Sequence, residues 1–211
     1  RIGVDITNMI TETADAIFQE ARQANHFEGL KMDVMQTFAI EVPFEEDVFL
    51  HGKRDELRNQ LAEAALDSFK RRMEKLTQIA DPVLQRVYEE KGQMYENILI
   101  PITDGKKVYN ISVNLKAAAE THCKEVVKEF EKRMLLFVID DEWKEHLRQL
   151  DDLKQSVQNA SYEQKDPLLI YKIESFHIFQ AMLDALNRRA IAILLRGQIH
   201  QQEPDRVQQA Q

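Results

Sequence analysis

From Leu115 to Gly197 the chain repeats apolar residues at three- and four-residue spacing along two long stretches, with only the polar segment Asn159–Asp166 between them. The first stretch carries Val126, Val127, Phe130, Met134, Phe137, Val138, Leu147, Leu150, Leu153 and Val157. It predicts one helix from about Leu115 to Gln158, an element that at 1.5 Å per residue reaches roughly 60 Å. The second carries Leu168, Ile170, Tyr171, Ile173, Phe176, Phe179, Met182, Leu183, Leu186, Ile191, Leu194 and Leu195. Asp166 stands where an N-cap belongs and Pro167 at the first helical position, so this helix is predicted to begin there and run to about Gly197. Two helices of this length joined by so short a loop must return antiparallel. The pair is a stiff rod, and every other element has to be arranged around it.

The remaining sequence holds few breaks, because there are only six glycines and five prolines in 211 residues. Long helices rather than many strands are expected. Ile2 to Asn25 places Val4, Ile6, Met9, Ile10, Ala14, Ile17 and Phe18 on one stripe, and Arg1-Ile2-Gly3 is a poor helix start. The segment therefore reads as the end of a helix that begins upstream, in a piece of a longer protein. A short helix with Leu30, Val34, Met35 and Phe38 is expected to end before Pro43, followed by a connector from Glu41 to Lys53 carrying Phe44, Val48 and Phe49. A further helix from about Asp55 buries Leu57, Leu61, Ala64, Ala65, Phe69, Met73 and Leu76, with Lys70-Arg71-Arg72 on its solvated face. Asp81-Pro82 is expected to break it, Asp81 capping a new helix that stops near Gly92. The one β pattern spans 97–113, where Ile98–Thr103 and Lys106–Val113 flank Asp104-Gly105. That pair predicts a type I′ turn with positive φ at both residues. Pro101 assigns the first strand to an edge or a bulge, and a lone hairpin has to lean on a helix. The Gln-rich end from Gln198, with Pro204, is expected to fray.

Several chemistries are excluded or weakened. A net charge of −8, from 36 acidic and 28 basic residues, weighs against duplex nucleic acid as a partner. There is no apolar run of about 18 residues that would cross a membrane as a helix. Cys123 is the single cysteine; it has no disulfide partner and no zinc-site companion, which fits a reducing cytoplasm. It follows His122, but adjacent residues on a helix point in different directions, and the thiol reads as inert. Gly52-Lys53 lacks the preceding glycine and the following Ser or Thr of a phosphate-cradling loop, so the chain is not expected to hydrolyse ATP or act as an enzyme alone. Glu174-Ser175-Phe176-His177 has the Glu-x-x-His spacing of di-iron bundles, with Asp140, Asp141, Glu142, Glu145 and His146 on the opposing helix. Such a centre needs a second motif and two more glutamates, so no metal site is assigned. His146 reads as a partly buried or surface histidine with a local hydrogen bond. The loop Asn159–Pro167 places Tyr162, Gln164 and Lys165 at the end of the rod. It is either a plain connector or a tip that touches another chain.

Around this loop the sequence resembles the SecA family. Asp140-Asp141-Glu142-Trp143-Lys144-Glu145-His146-Leu147 is similar to the family's Asp-x-x-Trp-Lys-Glu-His-Leu motif. Leu150-Asp151 with Leu153-Lys154-Gln155, then Tyr162-Glu163-Gln164-Lys165-Asp166-Pro167, Tyr171-Lys172, Glu174-Ser175-Phe176 and Phe179 follow the same signature. Ala160-Ser161 stand where many relatives carry Arg-Gly. The resemblance implies a mainly α fold: residues 1–25 as the end of a long scaffold helix, 26–115 as a helical wing domain with the hairpin 97–113, 116–200 as helical scaffold with a two-helix finger, and 201–211 as a frayed tail. It also implies a part of a motor that drives preproteins through the SecY channel, coupling ATP-driven movement to translocation and regulating the motor. Tyr162, Gln164 and Lys165 would be the finger tip that meets preprotein and channel. Trp143, His146, Asp166, Pro167 and Phe176 would hold the interdomain structure. ATP and magnesium would bind motor domains, and zinc a cysteine-rich tail, none of which this sequence contains. The implied partners are the SecY complex, unfolded preprotein and the other SecA domains, with anionic membrane lipids and a second copy as further candidates and no nucleic acid. The implied location is cytoplasmic, peripheral on the inner membrane. The contrasting expectation is a stand-alone helical adaptor that binds a partner through the apolar stripe of residues 4–18.

Overall fold

A computed structural model describes residues 2–159 and 166–200, and among them the chain forms seven helices and one small sheet. The described residues fall into two compact units, one within Arg1–Phe69 and Glu131–Leu195, the other within Lys70–Phe130 and Arg196–Gln211.

The first unit contains α1 (Ile2–Ala24), α2 (Phe27–Phe38), α3 (Glu46–His51), the start of α4 (Arg54–Lys91), most of α6 (Lys124–Asn159) and α7 (Pro167–Leu194). Its core takes Ile6, Ile10, Ile17 and Phe18 from α1, Leu30, Val34 and Phe38 from α2, and Ala190, Ile191 and Leu194 from α7, all fully buried. α2 ends at Ala39, which adopts a left-handed φ of 54° and turns its N–H back to the Met35 carbonyl. The connector predicted over 41–53 contains α3, too short for periodicity to reveal. Its Phe49 packs edge-to-face on Phe18, with centroids 6.0 Å apart, and Phe44 does the same at 6.2 Å. Such aromatic pairs contribute beyond their buried area. Arg188 of α7 reaches Glu20 of α1 at 2.7 Å, Asp33 of α2 at 3.9 Å and Asp184 on its own helix at 2.8 Å.

The second unit holds the rest of α4, β1 (Asn97–Thr103), β2 (Val108–Asn114), α5 (Leu115–Glu120), the first turns of α6 and β3 (Gln198–Ile199). The break expected at Asp81-Pro82 does not occur; α4 continues through Pro82 to Lys91. A proline costs a helix about 3 kcal/mol. Here Met73, Leu76, Ala80 and Leu84 keep one buried stripe running past it, and burying a large apolar side chain contributes about 1.5–3 kcal/mol. Asp81 is no cap; its carboxylate accepts from Gln85 Nε2 at 3.1 Å.

The sheet has the order β2-β1-β3, so β1 is central and not the edge that Pro101 implied. In an antiparallel strand a residue's N and O point to the same side, and the Pro101 carbonyl accepts from His200 N–H at 2.9 Å. The missing Pro101 donor thus faces β3, which pairs over only two residues. β3 also shows that Gln198 and Ile199 do not fray. The turn is a four-residue loop closed by Thr103 opposite Val108, and of Asp104 and Gly105 only Gly105 has positive φ, at 88°. Asp104 works through its side chain instead, accepting from Lys106 and Lys107 N–H at 2.8 Å each and from the Tyr109 hydroxyl at 3.0 Å. Burial pushes that carboxyl up, but these bonds outweigh it and hold it below the ordinary aspartate range. The hairpin leans on α4, whose Ile79, Val83, Leu84 and Val87 share a groove of about 410 Å³ with Ile98–Pro101 and Ile199.

The long helix predicted from Leu115 is two helices. α5 ends at Glu120, and α6 starts only at Lys124. Between them His122 and Cys123 both take left-handed φ, 48° and 64°. From Lys124 to Asn159 the helix is unbroken over 36 residues.

Glu131 on α6 is buried, and burial alone pushes its carboxyl up to about 7 from an ordinary value of 4.5. The folded state therefore holds a proton that the unfolded chain has lost between those two values. Stability should fall as pH rises through that window, by about 1.4 kcal/mol per pH unit at most, and level off above it. Glu131→Gln should flatten that slope and raise stability at neutral pH in urea unfolding series. An unchanged slope would show that Glu131 is solvated in the folded chain.

Candidate functional site

The two-helix element is built as its sequence predicted at its second start. Asp166 caps α7, its Oδ1 accepting from Leu168 N–H at 3.0 Å, and Pro167 occupies the first turn, where its missing donor costs nothing. Tyr162, Gln164 and Lys165 lie outside the described residues, in the stretch that connects α6 to α7.

Two contacts fix the antiparallel sense. Arg189, late in α7, binds Asp141 Oδ2 at 2.6 Å and Glu142 Oε1 at 3.0 Å on α6. Its guanidinium also lies over the Phe137 ring, 5.5 Å from the centroid. Phe179, earlier in α7, meets His146, later in α6, with ring centroids 5.8 Å apart. Burial alone would lower the Arg189 pKa, but Asp141 and Glu142 reverse this and hold the guanidinium charged. These carboxylates clamp one helix to the other. Asp140 and Glu145, from the same acidic group, pair with Lys144 at 2.6 Å and Arg148 at 2.5 Å on their own helix.

His146 is only 4% exposed. Its ring lies 5.3 Å from Trp143, and its Nδ1 is buried with no hydrogen-bond partner among the described residues. The expectation of a surface or partly buried histidine with a local hydrogen bond is therefore corrected: two aromatic rings enclose it. Around this cluster both helices leave large apolar side chains in solvent. Trp143 is 47% and Phe176 57% exposed, and Leu136, Ile139 and Leu147 on α6 join Ile173, Phe179 and Leu183 on α7. At three- and four-residue spacing these side chains stripe each helix. An apolar surface of this kind marks a contact site in a soluble protein. The stripe of α1 is the opposite case. Ile6, Ile10, Ile17 and Phe18 are all fully buried in their own unit, so the adaptor reading loses the face it requires.

Other candidates resolve differently. Glu174 and His177 stand 3.9 Å apart on an exposed surface, and among the described residues no three His, Cys, Asp or Glu side chains are grouped to hold a metal ion. Gly52 ends α3, donating to Val48 O at 2.7 Å and accepting from Arg22 Nη2 at 3.4 Å. His122 and Cys123 do not diverge as helical neighbours would. Both face Asp81, His122 Nδ1 at 3.1 Å and Cys123 Sγ at 3.8 Å. Burial first, then the Asp81 charge, pushes the buried thiol up to about 12, which suits a packed side chain and no nucleophile. Sequence reasoning missed Arg188 and Arg189. The available signal was two adjacent cations set inside an apolar helix end.

A family model for the SecA Wing and Scaffold domain matches residues 1–198. Among curated relatives, the protein translocase subunit SecA of Parabacteroides distasonis is 54% identical over 211 residues, covering 100% of this chain and 19% of that protein. Its counterpart in Bacteroides thetaiotaomicron is 58% identical over 204 residues, covering 96% of this chain and 18% of its own length. That of Christiangramia forsetii is 38% identical over 199 residues, covering 94% and 18%. The chain thus spans about a fifth of the length of these relatives. Among the described residues no helix is long and apolar enough to cross a membrane.

Removing the clamp should register in stability. Arg189→Ala is expected to lower the unfolding free energy by about 1–3 kcal/mol, the range for charge-assisted hydrogen bonds to a half-buried group. A double-mutant cycle with Asp141→Ala should recover a coupling above about 0.5 kcal/mol. A coupling near zero would show that the ion pair carries no weight.

Proposed function

The chain belongs to the SecA family of protein translocase subunits, within its wing and scaffold domain, and from that premise we propose that it links a nucleotide-driven motor to a moving preprotein. Residues 1–25 and 116–200 serve as scaffold and 26–115 as wing. The α6–α7 pair is the finger that couples motor movement to passage through the SecY channel and regulates the motor. Tyr162, Gln164 and Lys165, at its tip, meet the preprotein and the channel. A phenol ring can pack on any side chain while keeping a polar handle, which suits a substrate of no fixed sequence. Nucleotide, magnesium and zinc belong to parts of the relatives outside this chain, which is no enzyme by itself. The working location is the cytoplasmic face of the inner membrane, with anionic lipids and a second copy as further partners.

The observation that supports this reading is the apolar face around Trp143 and Phe176, carried on two helices that Arg189 locks antiparallel. A stiff lever needs a handle for the motor at its base, and this stripe supplies one. His146 stands as a positioning residue beneath it, bracing Trp143 against Phe179.

Two substitutions test the two ends. In the full-length translocase, Tyr162→Ala should reduce preprotein translocation severalfold more than it reduces basal ATP turnover. Normal transport would remove the tip from the mechanism. Phe176→Asp should leave the stability of the 211-residue chain within about 0.5 kcal/mol, as expected for an exposed site, yet impair transport in the intact protein. Full transport with Phe176→Asp would mean that the apolar face has no role in coupling.

A further inference from the structure

The periodicity from Leu115 onward carries no glycine or proline until the helix pair turns back, yet the structure breaks this run at Thr121-His122-Cys123. The break has a complete backbone solution. Cys123 N–H bonds Ala118 O at 2.9 Å and His122 N–H bonds Ala119 O at 3.2 Å, the crossed pair of a Schellman motif with Thr121 as C-cap. In that motif the residue after the C-cap is left-handed and is usually glycine. Here it is His122, φ 48°, and Cys123 follows it at φ 64°. A side chain with a Cβ adopts this region at a cost, and two in succession need outside support.

Support comes from α4. Asp81 Oδ1 accepts from Gln85 Nε2 at 3.1 Å and has Cys123 Sγ at 3.8 Å, while Oδ2 pairs with His122 Nδ1 at 3.1 Å. Gln85 Nε2 also bonds the Ala119 carbonyl of α5 at 2.7 Å, so α4 grips the last turn of α5 from the same spot. Thr121 serves both helices, its hydroxyl donating to Ala117 O at 2.7 Å and accepting from Glu125 N–H at 3.2 Å. Cys123 and Ala118 are fully buried, the apolar contact that accompanies this cap.

We infer that the α5–α6 corner is a clasped hinge: Asp81 and Gln85 of α4 hold open a helix break that the local sequence would otherwise close. With the clasp released, residues 115–130 join into one helix. α5, and β2 directly before it, then turn with the first turns of α6. The corner has two discrete arrangements, one paired to α4 and one continuous, and a contact that competes for Asp81 would select between them. This device goes beyond the function proposed above and does not depend on it.

The test uses the 211-residue chain and NMR readouts at residues 121–125. His122 is exposed, so His122→Ala removes its pair with Asp81 without opening the core. It should move the Cα shifts of residues 122 and 123 from left-handed to right-handed helical values and raise amide protection across 121–125 by about tenfold. Asp81→Ala should do the same. His122→Gly also lacks the pair but tolerates positive φ, so it should keep the break, alone and combined with Asp81→Ala. Left-handed shifts and unchanged exchange in both His122→Ala and Asp81→Ala would overturn the proposal, since packing alone would then set the corner. Straightening in His122→Gly would overturn it equally, because backbone strain would not be what the clasp restrains.

Discussion

Two adjacent arginines near the end of α7 carry the tertiary logic of the first unit. Successive helical residues point to different sides, so Arg188 turns to α1 and α2 while Arg189 turns to α6. Each meets more than one carboxylate, and each is partly withdrawn from water. A guanidinium suits this role because it stays charged and offers five donors in a rigid fork. Hydrophobic burial supplies most of the cohesion, but it is non-directional. The arginines tie α7 to the helices beside it, Arg188 to α1 and α2 and Arg189 to α6.

That arrangement leaves a surplus of apolar surface. Trp143, Phe176 and their neighbours are exposed, and the buried residues of α7 begin only at Met182. A surface of this kind marks a contact site. The enclosed His146 fits the same picture. Its ring lies against Trp143 and Phe179, with Nδ1 buried and without a hydrogen-bond partner among the described residues.

Much was legible in the sequence because periodicity is local. α1 and α2 stop within a few residues of where apolar spacing places their ends, and α7 starts at Pro167 with Asp166 as its N-cap, as expected. The family signature between Asp140 and Phe179 is equally local. The misreadings share one cause. Pro82 was expected to stop α4 and Pro101 to push β1 outward, and both expectations are sound for an isolated segment. A buried stripe carried α4 through one, and a two-residue strand tolerated the other. His146 reads as a partly buried or surface histidine, and Asp141 and Glu142 are given no partner, because Phe179 and Arg189 are distant in sequence.

The amino-acid sequence by itself determined that this chain is mainly helical, that it turns back on itself between Asn159 and Pro167, and which family it joins. Each of these rests on spacing within a few turns, where backbone geometry alone sets which residues share a face. Only the tertiary structure decided that α4 runs through its proline, that the run from Leu115 breaks at His122, and that Ile6, Ile10, Ile17 and Phe18 of α1 are core while Trp143 and Phe176 are surface. Those outcomes depend on which helix supplies the opposing side chain: an Asp81 or an Arg189 acts across space, and no local pattern records what it will meet.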